Sequence, residues 1–223
     1  MSRVGEIVRQ HDPDRFFTSL FAPASKRETL WVLYAFNHEI ARAREMVREP
    51  AMAFIRLQWW REVVEGAHPR HEVAEPLRQS LDAGALDPAD LDAMIEGREA
   101  ALPGSLPEWK AYVQATAGTL AVAGGRALGA KSVEGLRAFG SAYGAAGVLR
   151  NAALSGAQPP AELADAGRDW LREGRRSGVV RAALAAALPA VFAARDLRRT
   201  VPVRERGAGD KLAVVLAVAL GRI

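Results

Sequence analysis

The 223-residue sequence contains no cysteine, which excludes a disulfide scaffold, a Cys-ligated zinc site and thiol catalysis. Histidine is also scarce, at 4 residues. The one close pair, His68 and His71, lies in a proline-broken loop (HPRH) with no third ligand nearby, so a metal site is not expected there. Long hydrophobic runs are missing. Ala182–Ala194 is interrupted by Pro189, and Leu212–Gly221 is short, while a spanning helix needs roughly 20 apolar residues. The opening MSRVGEIVRQHDPDRFF lacks the apolar stretch of a signal peptide. These absences point to a cytoplasmic protein, with a peripheral position at the inner face of a membrane left open. There is no phosphate loop, dinucleotide fingerprint, nucleophile elbow or HExxH. No alternating β-branched stretch, internal repeat or low-complexity linker is visible.

What the sequence has in abundance is alanine, 44 residues. Alanine is the best helix former and a poor strand former, so the expectation is an all-α fold. Three- and four-residue apolar steps place helices over about 26–49, 51–66, 73–83, 88–102, 107–128, 133–154, 161–174, 177–199 and 210–222. In the second helix the stripe Met52, Ile55, Trp59 and Val63 should face the core. Pro189 should kink or split the helix over 177–199. The helices share one composition, so a single helical domain over 1–223 is expected. Two glycine-bearing runs, AYVQATAGTLAVAGGRALG and FGSAYGAAGVLR, admit two readings: close helix–helix approach, or a cavity for a bulky apolar ligand.

Charge is unevenly spread. Residues 168–223 carry 12 Lys and Arg against 5 Asp and Glu, a balance of +7 within a chain of net charge +4. A basic C-terminal part suits an anionic partner. Arg195, Arg198, Arg199, Arg204 and Arg206 are the candidate contacts to an anionic membrane surface. The pI near 9.8 also raises nucleic acid as a partner, but no recognition motif supports it, and it is not expected.

The densest polar stretch is Asn37–Glu49, NHEIARAREMVRE. Asn37 and Ala41 share a helix face with Arg44 and Glu45. Beside Tyr34 and Phe36, Asn37 reads as a buried polar position that either fixes packing or lines a site. In IRLQWWREVVEG, Arg56 and Trp60 are four residues apart and within stacking reach.

At these residues the sequence resembles the squalene/phytoene synthase family, over about Asp14–Leu163. FAPASKRETLWVLYAF, IRLQWWREVVEG and AYGAAGVLRNAALSGAQPPAEL carry the resemblance. It implies the all-α isoprenoid synthase bundle around a central cavity. The family's enzymes join two prenyl diphosphates head to head, using Mg²⁺ held by two facing aspartate-rich motifs. The first motif maps onto Ala41 and Glu45, so its leading acid is missing. The second should follow Val148-Leu149-Arg150, where Asn151–Ser155 holds no acid. A Mg²⁺–diphosphate cluster needs several carboxylates, so condensation is not expected and no cofactor is assigned.

FNHEIARAREMVREPAMAFIRLQWW more closely resembles the branch of mitochondrial complex I assembly factors and their bacterial relatives. Phe36, Asn37, Glu39, Val47, Glu49, Arg56, Gln58 and Trp60 carry that likeness. The resemblance implies a lipid- or protein-binding assembly factor. Its candidate cavity residues are Tyr34, Asn37, Glu39, Ala41, Glu45, Arg56, Gln58, Trp60, Arg150 and Asn151. The alternative is a Mg²⁺-dependent prenyltransferase with rearranged ligands, in which Glu39 and Glu45 hold metal and Arg150 holds diphosphate.

Overall fold

The computed structural model describes residues 1–45, 50–99, 103–155, 158–199 and 205–223, with the side chains of 44, 45, 50 and 153–155 outside that set. Glu45 as a metal ligand, Val47, Glu49 and Arg204 therefore fall outside what is described. Among the described residues the secondary structure is helical throughout, with no strand.

Two helices precede those the periodicity predicts: α1 (Arg3–His11) and α2 (Pro13–Ser19). Both have start signals that short helices need. The Ser2 hydroxyl accepts from Gly5 N at 3.2 Å, and the Asp12 carboxylate accepts from Arg15 N at 3.1 Å, with Pro13 at the first position of α2. Next comes α3 (Ala24–Glu45). Its inner face, Leu30, Leu33, Phe36 and Ile40, is fully buried. Each such side chain stabilises the fold by about 1.5–3 kcal/mol.

The following helix, α4 (Pro50–Glu65), corrects the expected register. Met52 and Ile55 are exposed, and the buried positions are Ala53, Leu57, Trp60, Val63 and Val64. Trp60, not Trp59, reaches the core, its ring edge-on to Phe36 at 5.4 Å. The run AMAFI is apolar on every face, so its period alone cannot orient the helix.

The chain continues through α5 (Ala74–Asp82), α6 (Pro88–Glu99) and α7 (Leu106–Val113). A π-helical turn (Gln114–Gly118) then leads into α8 (Thr119–Ala127), so the expected helix over 107–128 is widened in its middle. The long α9 (Glu134–Ser155) packs against α10 (Leu163–Ser177), α8 and the π turn. Leu163, Ala166, Gly167, Trp170, Leu171 and Gly174 form the buried stripe of α10, at three- and four-residue steps.

The last expected long helix is divided. Residues 178–180 are not helical, with Gly178 at φ 70°, a 3₁₀ turn (Arg181–Ala183) follows, and α11 (Leu184–Ala187) gives way at Pro189 to α12 (Pro189–Asp196). Finally α13 (Ala208–Leu220) packs on α12.

The glycine-bearing runs resolve largely as close helix approach. A Cβ on Gly140 would lie 2.5 Å from the Ala117 carbonyl oxygen, and one on Gly118 would lie 2.8 Å from Ser141 Oγ. Glycine is what lets α9 lie directly against the π turn. Gly147, by contrast, has open space where its Cβ would be.

Candidate functional site

The candidate residues on α3 part company because its faces meet different neighbours. Tyr34 is 2% exposed. The Arg15 guanidinium lies between Tyr34 and Tyr143, 5.9 and 4.7 Å from their ring centroids, and Arg15 pairs with Asp12 at 2.7 Å. Burial pushes the Tyr34 phenol well above its ordinary range. Tyr34 is thus part of a filled polar layer between α2, α3 and α9.

Asn37 Oδ1 accepts from Arg98 Nη2 at 3.3 Å, and Arg98 Nη1 donates to the Tyr112 hydroxyl at 2.7 Å. Arg98 Nε is buried and has no acceptor among the described residues. Asn37 is half-buried where the sequence suggested a buried position, and this network ties α3 to α6 and α7 just before the π turn. Next to it, His38 stacks on His11 at 4.2 Å between ring centroids. Burial, then the charges of His11 and Arg42, lower the His38 pKa to about 4.

A second group forms an open cleft of about 270 Å³ between α3 and α4, lined by Glu39, Arg42, Arg56, Trp59, Trp60 and His71. It brings together three predicted residues, Glu39, Arg56 and Trp60. Arg42 Nη1 lies 3.7 Å from the Glu39 carboxylate. The Trp59 and Trp60 rings stand edge-on to His71 at 5.5 and 5.4 Å. His71 Nδ1 accepts from Val73 N at 3.2 Å, which makes His71 a support for the start of α5. Gln58 does not join the cleft. Its Oε1 accepts from Arg61 Nη1 at 3.2 Å, and Arg61 in turn pairs with Asp92 and Glu99 across the seam with α6.

The third group was not visible as a unit in the sequence. Asp14 on α2 is buried, with the Tyr143 hydroxyl donating at 3.0 Å and Arg206 donating through Nε at 3.0 Å and Nη2 at 2.7 Å. Asp196 accepts from Arg206 Nη1 at 2.6 Å and Nη2 at 2.8 Å. Arg150 Nη1 is shared between them, 3.4 Å from Asp14 and 3.1 Å from Asp196. Arg199 pairs with both Asp196 and Asp210, and Arg195 with Asp210. Burial alone would raise the Asp14 carboxyl. The hydrogen bonds and charge of Arg206, with Arg150 and Tyr143, outweigh it and hold Asp14 below the usual carboxylate range.

This cluster corrects the surface reading of the basic C-terminal part. Arg206 has a side chain only 9% exposed and lies under the surface, with its guanidinium 4.6 Å from the Phe192 ring centroid. Arg199 is half-buried and Arg195 also pairs inward, so their charge is spent on internal carboxylates. Arg198 is exposed. Arg150 is held by Asp14 and Asp196 instead of facing an open cavity, and Asn151 beside it is exposed. The one sequence cue to the cluster was Asp12-Pro13-Asp14, a helix start whose second acid has no capping role.

The arrangement does not suit a Mg²⁺–diphosphate cluster. Ala41 offers a methyl group where the first motif needs a carboxylate, and Asp14 and Asp196 are each engaged by two or more arginines. Among the described residues no three His, Asp or Glu side chains gather in a geometry that could hold a metal ion.

The helical architecture is that of an isoprenoid synthase. It superposes on the crystal structure of a dehydrosqualene synthase with a TM-score of 0.69, covering 97% of this chain and 94% of that one at 14% identity. Residues 8–158 match the model of the squalene/phytoene synthase family, and the chain belongs to that family. It is also similar to proteins named NADH dehydrogenase (ubiquinone) complex I, assembly factor 6. The human protein is 30% identical over 98 residues, which are 42% of this chain and 29% of that protein. The mouse protein is 29% identical over 156 residues, 65% of this chain and 47% of its own. The rat protein is 30% identical over the same share of each. The chain thus spans about half the length, or less, of these relatives.

Proposed function

We propose that the protein is a binding member of its family that serves the assembly of an NADH dehydrogenase, and that it has lost prenyl diphosphate condensation. One observation carries the reading. Arg150, the cation that condensation would need free for diphosphate, is held by Asp14 and Asp196, and Ala41 stands where the first motif needs a carboxylate. Condensation depends on free carboxylates to hold Mg²⁺ and free cations to receive the leaving group. Freeing these groups would break buried ion pairs at several kcal/mol each. The similarity to assembly factors supports the role, and the α3–α4 cleft lies within residues 8–158, the span of the family match. That cleft, with exposed Arg56 beside Trp59 and Trp60, is the proposed contact for a lipid or protein partner at an anionic membrane face.

Deleting the gene in its own host is expected to lower membrane NADH:ubiquinone oxidoreductase activity, with recovery on re-expression of the chain. Unchanged activity would overturn the assembly role. In vitro, Mg²⁺ with inorganic pyrophosphate is expected to leave the melting temperature unchanged. Ligand at 100 times its dissociation constant would add about 2.7 kcal/mol of stability. A rise requiring both ions would contradict the loss of the diphosphate site.

A further inference from the structure

The helix α13 turns an apolar face outward. Leu212, Val215, Leu216 and Leu220 are 57%, 44%, 53% and 64% exposed, while Asp210, Val214 and Ala217 pack inward. At 100° per residue the four exposed side chains occupy one continuous arc opposite the buried one. Isolated exposed apolar residues are ordinary, whereas a contiguous apolar strip marks a contact surface.

Charge around the strip selects its partner. Lys211 falls by the helical progression on one flank, next to Val215, and the exposed Arg222 follows the left-handed Gly221 that ends the helix. Arg175 Nε donates to the Ile223 carbonyl at 3.3 Å, and Arg181 Nη1 lies 3.8 Å from where a Cβ on Gly221 would be, so two more cations border the far end. The only acid in α13, Asp210, is buried and neutralised by Arg195 and Arg199. A second copy docking by a two-fold axis would oppose two basic rims with no acidic counterpart, which is unfavourable.

We infer that the outer face of α13 is a docking surface for an anionic bilayer, the Leu212/Val215/Leu216/Leu220 strip entering the headgroup–acyl boundary and Lys211 and Arg222 lying at headgroup level. Apolar area and attraction to anionic lipid together drive such interfacial binding. The 13-residue helix is about 20 Å long, so it lies on the membrane and does not cross it. No described helix is long and apolar enough to cross. The Asp210 pairs fix the helix on α12, which presets its outward face before contact. The inference rests on the proposed membrane-face location, not on the absence of catalysis, and it replaces Arg199 and Arg206 as the contacts.

The test is co-sedimentation of the full chain with sucrose-loaded vesicles of phosphatidylcholine with 50% phosphatidylglycerol, and with phosphatidylcholine alone. The chain is expected to pellet with the anionic vesicles, less so as salt is raised, and weakly with the neutral ones. A Leu212→Glu/Leu216→Glu variant is expected to partition at least tenfold more weakly with an unchanged circular dichroism spectrum and melting temperature, because both side chains are exposed. Equal binding by the variant, or no binding by the natural chain, overturns the inference. So does a dimer that the variant converts to monomer without vesicle binding. A chain that condenses prenyl diphosphates yet pellets as described would overturn the functional reading and leave this one standing.

Discussion

Replacing Arg206 by methionine removes the cation at the centre of the Asp14/Asp196 cluster while keeping an apolar side chain of similar reach. The side chains of Arg206, Asp14 and Asp196 are 9%, 8% and 9% exposed, so both carboxylates would stay in a medium that penalises unpaired charge. Breaking a buried pair by removing one partner costs about 3–5 kcal/mol. Asp14 would retain the Tyr143 hydroxyl, and both carboxylates would retain Arg150, so the expected loss lies at the lower end, about 3 kcal/mol at pH 7. Asp14→Asn in the same background should recover part of it. The double-mutant cycle is expected to give a coupling of about 2 kcal/mol. The Asp14 pKa is lowered in the folded state. Its contribution is therefore fully present above the unfolded carboxylate pKa, about 3.9, and is lost as pH falls through the lower folded value. Without Arg206, burial raises the Asp14 carboxyl, so the gap between the natural chain and the variant should begin to narrow above the unfolded value of about 3.9 and narrow further below it. Urea unfolding followed by circular dichroism, repeated across pH, measures all of this. A loss under 0.5 kcal/mol at pH 7, or additive single variants, would refute the clasped-cluster argument; these thresholds are roughly the resolution of such cycles.

His38 gives a second pH test. Its folded pKa, about 4, lies below the ordinary 6.5, so the unfolded chain takes up a proton first and stability falls on acidification between those values. Discounted for partial exposure, the loss from pH 7 to pH 5 is about 1–2 kcal/mol. His38→Gln should flatten it, and an equal slope in both proteins would count against the neutral buried ring. Gly140→Ala should destabilise by about 1–3 kcal/mol, since its Cβ would meet the Ala117 backbone oxygen and the Ala121 Cβ. Gly147→Ala, with open space, should stabilise by about 0.5–1 kcal/mol. Melting temperatures that move in the same direction for the two glycines would contradict the packing described.

The helices most legible in the sequence are those bounded by clear turn signals. Glu134–Ser155 and Leu163–Ser177 fall within three residues of expectation because their apolar spacing and flanking turns agree. The register of α4 was illegible because its first turn is apolar all round, and only packing against Phe36 selects Trp60 over Trp59. The short α1 and α2 offer too few residues for periodicity, although Ser2 and Asp12-Pro13 mark their starts. In the site, motif spacing located Glu39, Arg56 and Trp60, which share a cleft through a local helix-to-helix contact. It gave no sign that Arg206 meets Asp14, because that pairing joins positions 192 residues apart and is set by the whole topology. A charge sum read Arg199 and Arg206 as surface cations for the same reason: sequence counts charges without showing their partners.

Loss of condensation is tested by incubating the purified chain with Mg²⁺ and farnesyl diphosphate, with and without a reductant cofactor, and analysing the extract by mass spectrometry. With Arg150 and Arg206 clasped by Asp14 and Asp196, intact farnesyl diphosphate and no head-to-head product are expected. Time-dependent formation of a joined product with release of diphosphate, abolished by Arg150→Ala, would contradict that loss.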